Sequence, residues 1–291
     1  MNTKIKADLA LLFVTLTWGV SFILTKNTIA NIAVFNFLGV RFLIAFALSA
    51  LFFYKKMLKP DKQSIKYGII VGFILFSGYA VQTIGLKYTT TANSAFITGL
   101  NVIFVPIIVA ILFKTKIESS VKLGVFAAMV GLTLLTFNGM TVFNIGDILT
   151  LIGAIAFALH IITVGHFTKQ TDSIQFAITQ IGAVGVFSAI TSVFLETPTL
   201  SFSGIDWFNI VFLALFCTAG AFITQSIAQR YTTSTHTALI YINEPVFAAI
   251  FAYFVAGEIL GVRALLGGLL MLSGILFAEL DVKNMRKLKR A

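Results

Sequence analysis

Apolar residues run along this chain in long unbroken stretches instead of alternating with polar ones. Ten stretches, at about 8–26, 34–54, 67–87, 92–113, 121–139, 147–168, 174–195, 207–229, 235–256 and 262–281, approach or exceed the roughly 20 residues that a bilayer-crossing helix needs. The joints between them are short and carry charge or turn signals, as in Lys55-Lys56-Met57-Leu58-Lys59-Pro60-Asp61-Lys62 and Glu196-Thr197-Pro198-Thr199. Membrane β-strands would alternate with period two, and these runs do not. No soluble domain fits between them. The pattern predicts an all-α polytopic membrane protein with ten transmembrane helices.

Composition agrees and narrows the choice. Of 291 residues, 58% are hydrophobic and 11% charged, against roughly 25% charged in soluble domains. Thirty phenylalanines exclude a disordered chain. The net charge of +10 is compatible with nucleic acid or with an anionic membrane surface. Its distribution decides. With the N-terminus inside, seventeen of the 21 Lys and Arg fall on inside segments, including the tail Lys283–Arg290; Lys26, Lys87 and Arg263 fall outside, and Arg41 lies within a span. Lys/Arg bias marks the cytoplasmic side, so both termini are expected in the cytoplasm. The tail is then expected to face anionic lipid, and no nucleic-acid partner is expected. A single cysteine, Cys217, permits no intrachain disulfide and hints at no metal cluster.

Shifting the chain by 143 places Lys87-Tyr88-Thr89-Thr90 on Arg230-Tyr231-Thr232-Thr233, Gln82 on Gln225, Asn101 on Glu244, Gly124 on Gly267 and Gly131 on Gly274. Across the earlier spans a shift of 139 places Asp8 on Asp147 and Arg41 on Gln180. Five spans thus repeat five spans, over residues 1–140 and 141–291. An odd number of spans per repeat inverts the second copy. Inverted repeats with a site near the midplane are a transporter arrangement. Other readings stay in view: a channel, or a membrane sensor or lipid-handling protein without solute transport. The chain has no H-E-x-x-H, no clustered acids and no P-loop, so no enzyme, metal or cofactor is expected.

In these residues the chain resembles the drug/metabolite transporter superfamily, in its ten-helix EamA-type form. The matching pieces are Trp18-Gly19, Arg41-Phe42, Gly146-Asp147, Glu244-Pro245-Val246-Phe247, Gly257-Glu258, and Gly267, Gly268 and Gly274. Thr115 stands where an acid matching Glu258 would be, with Glu118 nearby. The resemblance implies transport of small metabolites, amino acids or drug-like compounds across the cell membrane.

Polar residues deep in spans are costly, by about 2.5–3.5 kcal/mol for a charge on insertion scales, and mark cavities or partners. Glu244 falls near the middle of its span, and Arg41 about three residues, or ~4.5 Å, outward of the middle of its own. The two are expected to be close or to share a cavity, whether as a binding site or as a structural pair. Symmetry adds Asn101, Gln180, Gln82 and Gln225, and helical spacing adds Tyr241 and Tyr79. Trp18 is either a cavity wall or a core residue. His160 is either a titrating group or a satisfied hydrogen-bonding one, whereas His166 and His236 are expected to be solvated. Pro245 withholds a backbone N–H and is a candidate hinge.

Overall fold

The computed structural model describes residues 3–136, 144–256, 262–263, 266–271 and 273–274. Among them the regular structure is helical, without strands. The helices are α1 (Thr3–Ile29), α2 (Val34–Phe52), the single turn α3 (Tyr54–Met57), α4 (Lys62–Gly85), α5 (Thr91–Gly99), α6 (Asn101–Phe113), α7 (Ser119–Thr136), α8 (Ile145–Phe167), α9 (Ser173–Leu195), α10 (Gly204–Phe212), a π-helical stretch Leu213–Gly220, α11 (Ala221–Ala228), α12 (Ser234–Tyr241) and α13 (Glu244–Ala256). Among the described residues, seven helical segments are long and apolar enough to cross a membrane: 3–29, 34–52, 62–85, 93–113, 145–167, 173–195 and 204–228. They coincide with the first four and the sixth to eighth expected spans. The fifth is α7, whose apolar part, Ser119–Leu134, is shorter. Of the tenth, residues 262–263, 266–271 and 273–274 are described and helical; Gly257, Glu258 and the tail Lys283–Arg290 lie outside the described residues.

Among the described residues, three spans are not the uninterrupted α-helices that their apolar runs suggest. The fourth breaks at Leu100, between α5 and α6, and the ninth at Ile242-Asn243, between α12 and α13. In the ninth, Pro245 cannot donate to the Tyr241 carbonyl, so the ladder is interrupted there. The eighth widens into the π-helix, where Thr218 Oγ1 reaches back five residues to the Leu213 carbonyl at 3.0 Å. The Tyr-Thr-Thr repeat has a local explanation in the two broken spans. Thr90 accepts the Asn93 N–H and caps α5, and Thr233 accepts the His236 N–H and caps α12. A side-chain acceptor at this position satisfies an N–H that the first turn leaves unpaired.

Small residues set the helix spacing. α4 packs on α8 and α9, and α2 on α9. A Cβ on Gly146 would lie 2.5 Å from the Gly85 carbonyl, so α4 and α8 meet backbone to backbone there. A Cβ on Gly131 would lie 2.6 Å from the Gly267 carbonyl, and one on Gly274 2.8 Å from the Gly124 carbonyl. Such close approach is how membrane helices gain packing contacts. Large apolar side chains such as Phe13, Phe52, Phe73, Ile111 and Phe194 point outward, as a lipid-facing surface requires.

Polar ties hold one end of the bundle. Asp172 caps α9 by accepting the Ile174 and Gln175 N–H groups, and Lys56 Nζ donates to it at 2.5 Å. Partial burial pushes the Asp172 carboxyl up, but Lys56 and the two backbone donors outweigh this, leaving it below its ordinary 3.8. A depressed carboxyl stabilises the fold above its unfolded value and loses that contribution as the pH falls through its folded value. Asp172→Ala should therefore cost about 1 kcal/mol near neutral pH, with the deficit shrinking below pH 3.8. Thermal unfolding of the detergent-solubilised protein across pH checks this.

Candidate functional site

A cavity of about 660 Å³, counting its open mouth, lies between α1, α2, α4, α8, α11 and the two broken spans. Its walls are largely aromatic. Trp18 meets Tyr241 edge-on at 4.9 Å and Phe222 at 5.6 Å, while Tyr79 meets Phe157 at 5.3 Å. Trp18 Nε1 donates to the Cys217 carbonyl in the π-helix at 3.0 Å, so this residue is both wall and packed strut.

Both helix breaks deliver a polar side chain to the cavity. Asn101 is the first residue of α6 and Glu244 the first of α13, and each lines the space. Arg41, 1% exposed, also lines it. Its Nε donates to Thr218 Oγ1 at 2.9 Å, and its guanidinium carbon lies 5.5 Å from the ring centres of Phe42 and Tyr79. Arg41 and Glu244 share the cavity without forming an ion pair within 4.0 Å, and Arg41 Nη2 has no hydrogen-bond partner among the described residues. Asn101 Oδ1, Gln225 Oε1 and the Tyr241 hydroxyl are likewise buried and unpartnered. Buried polar atoms are paired in the great majority of cases, and the four residues that carry these orphans all line the cavity.

The other expected residues sort differently. Gln82 lines the cavity, with its Nε2 donating to Thr98 Oγ1 at 2.7 Å. His160 lines it too, and its Nε2 is 2.9 Å from Gln180 Oε1. Gln180 itself does not reach the cavity. It is fully buried, bonded to His160 on one side and to Ser226 Oγ at 3.2 Å on the other. An amide behind a histidine can satisfy both neighbours, and this one is occupied in doing so. His236 corrects an expectation of solvation, because it is 9% exposed and its Nε2 lies 3.3 Å from Asp8 Oδ1. His166 is exposed as expected. Thr218, Ser226 and Thr98 support the site without having been singled out, since hydroxyls in apolar spans are common and carry little signal alone. Pro245 lies in the first turn of α13, beside the break.

One family profile, described as the EamA-like transporter family, matches the chain twice, over residues 5–137 and 144–280. The chain belongs to the EamA-like transporter family. A protein of Archaeoglobus fulgidus described as an uncharacterized transporter is 34% identical over 279 residues, spanning 96% of this chain and 87% of that one. The uncharacterized transporter YyaM of Bacillus subtilis is 27% identical over 275 residues, spanning 90% and 89%. A protein of known crystal structure superposes with a TM-score of 0.79 at 16% identity, covering 96% of this chain and 98% of its own. That likeness concerns the fold alone.

The cavity of this EamA-like chain is lopsided. It extends to Thr25, Thr83 and Leu86, near the C-terminal ends of α1 and α4. The residues matching these under the repeat shifts, Val164, Ser226 and Gln229, are fully buried and do not line it. That opposite end is filled by a polar seal. Gln229 Nε2 donates to the Ile161 carbonyl at 3.0 Å, Ser234 Oγ donates to the same carbonyl at 3.3 Å, and Gln225 Nε2 donates to Gln229 Oε1 at 2.9 Å.

Proposed function

We propose that this EamA-like protein is a secondary transporter. It carries a small polar or amphipathic metabolite, with amino acids among the candidates, across the cytoplasmic membrane. The carrier works by alternating access of two inverted five-helix repeats, 1–140 and 141–291, with both termini cytoplasmic. One observation carries the reading: most of the cavity wall is made of residues that the repeat shifts exchange. Trp18 and Phe157, Ser21 and His160, Tyr79 and Phe222, Gln82 and Gln225, Thr98 and Tyr241, and Asn101 and Glu244 all line it. A site assembled from equivalent positions of both halves is what a carrier needs if the halves rock about it. Support also comes from the glycine contacts, since the 143 shift turns the Gly131–Gly267 contact into the Gly274–Gly124 contact. The two successive family matches divide the chain at the same place. In the orientation given by the basic residues, the end reached by Thr25, Thr83 and Leu86 faces outward and the Gln229 cluster faces the cytoplasm.

The test is flux. Proteoliposomes holding the full chain and loaded with a pooled small-molecule extract should release one or a few solutes faster than empty liposomes. Glu244→Gln should reduce that release about tenfold or more, while leaving the detergent elution profile unchanged. Absence of flux for every solute in the wild type would remove the carrier reading in favour of a sensor or lipid-handling role.

A further inference from the structure

We propose that Arg41 forms a carboxylate subsite in the cavity and that the transported solute is a small zwitterion whose carboxylate docks on its guanidinium. This rests on the carrier reading above and names the class of solute that the same site takes.

Three features of Arg41 lead there. Its guanidinium is buried in an apolar span without an acidic partner among the described residues, and its Nη2 is a buried orphan on a side chain that lines the cavity. The rest of the group is already held: Nε is fixed on Thr218, and the plane sits among the rings of Phe37, Phe42 and Tyr79. A guanidinium clamped this way has little rotational freedom left to lose on binding. Its free Nη2 is a charged donor, which suits a carboxylate.

The symmetry makes Arg41 stand out further. Its counterpart, Gln180, is neutral, outside the cavity and bonded at both ends. The cationic group is thus an addition to one half, without an equivalent in the scaffold that the halves share. Packing alone does not explain an unpaired charge at that position, because leaving a buried charge uncompensated is strongly unfavourable.

The remaining orphans specify the other end of the guest. Asn101 Oδ1 and Gln225 Oε1 are acceptors without donors, and the Glu244 side chain lines the same space. One cationic side chain, one acidic side chain and two free acceptors fit a guest with one carboxylate and one ammonium group. A doubly charged phosphate would meet a single guanidinium and a neighbouring acid, which is a poorer match. The aromatic walls accommodate an apolar side chain between the two charged ends.

The experiment uses proteoliposomes of the full chain with two internal pools: the proteinogenic amino acids, and their carboxamides, which keep the ammonium group and lose the carboxylate. Release is followed by mass spectrometry. Wild type should release at least one amino acid at ten or more times the rate of its amide. Arg41→Gln should lower that release tenfold or more, and Arg41→Lys should retain part of it, with both variants eluting as the folded protein. Equal rates for acid and amide would overturn the subsite, as would wild-type rates for Arg41→Gln. Release of other pooled extract solutes but of no amino acid would overturn the solute class while leaving the carrier reading intact. Absence of all flux would overturn both. Recovery of transport in the charge-swapped Arg41→Glu, Glu244→Arg protein would reassign Arg41 to an ion pair and overturn the subsite.

Discussion

Joining α8 to α12 through the double substitution Gly165→Cys, Ser234→Cys should stop transport, and a reductant should restore it. A Cβ placed on Gly165 lies 3.7 Å from Ser234 Cβ, within the ~3.5–4.5 Å span of natural disulfides. The bond would bridge the sealed end of the cavity, next to the Ile161 carbonyl where Gln229 and Ser234 both donate. If the carrier must open that end to discharge its solute, oxidation should cut flux at least tenfold without lowering thermal stability. Cys217, the chain's other thiol, is buried and should not interfere. Gel-shift or mass-spectrometric detection of the bond alongside proteoliposome flux is the measurement. Undiminished flux through the fully cross-linked protein would show that this end need not separate.

Replacing Gly146 by valine should produce the largest loss of stability of any substitution considered. Its Cβ would stand 2.5 Å from the Gly85 carbonyl and 2.9 Å from the Thr89 amide nitrogen, so the backbone must move rather than a flexible side chain. Overpacking of this sort costs about 1–3 kcal/mol and sometimes more. The displacement would also disturb Thr89, whose hydroxyl donates to Asp147 Oδ1 at 2.5 Å beside the α8 cap. Gly204→Ala is the matched control, because its Cβ would have open space within 4 Å. Thermal unfolding in detergent should separate the two by several degrees, with the control near wild type.

What could be read from the sequence followed from apolar length. Seven spans stand where the apolar runs put them, because a run of that length has few other ways to satisfy its backbone. The helix breaks at Leu100 and Ile242-Asn243 were invisible to the same logic. Their residues are mostly apolar, and hydropathy does not register which carbonyl lacks a partner. Pro245 was a legible signal for one break, whereas the other has no proline at the matching position, which is Val102. The repeat shift brought Asn101, Gln82 and Gln225 to the cavity that Glu244 lines, since equivalent positions on equivalent helices tend to face the same space. It misplaced Gln180, because sharing a register position with Arg41 does not equalise side-chain length. An arginine reaches a space from which the shorter glutamine is withdrawn to its own hydrogen bonds. His236 was misjudged for a related reason, as its nearness to a span end concealed the facing Asp8 on α1.

The replacement of Arg41 by Gln180 across the repeat also bears on timing. Two halves of identical sequence would make the two end states of the proposed carrier equivalent by a two-fold rotation in the membrane plane, with equal free energy, and an empty carrier would divide its time evenly between them. Here one half carries a cation and the other a bonded amide. Every 1.4 kcal/mol of inequality shifts the resting occupancy about tenfold. Under the proposed alternating access, the empty protein would have a preferred waiting posture, and solute arriving on the favoured face would meet more sites ready to receive it. Half-saturation concentrations measured from the two faces of the membrane should differ accordingly, even where the net flux obeys only the gradient.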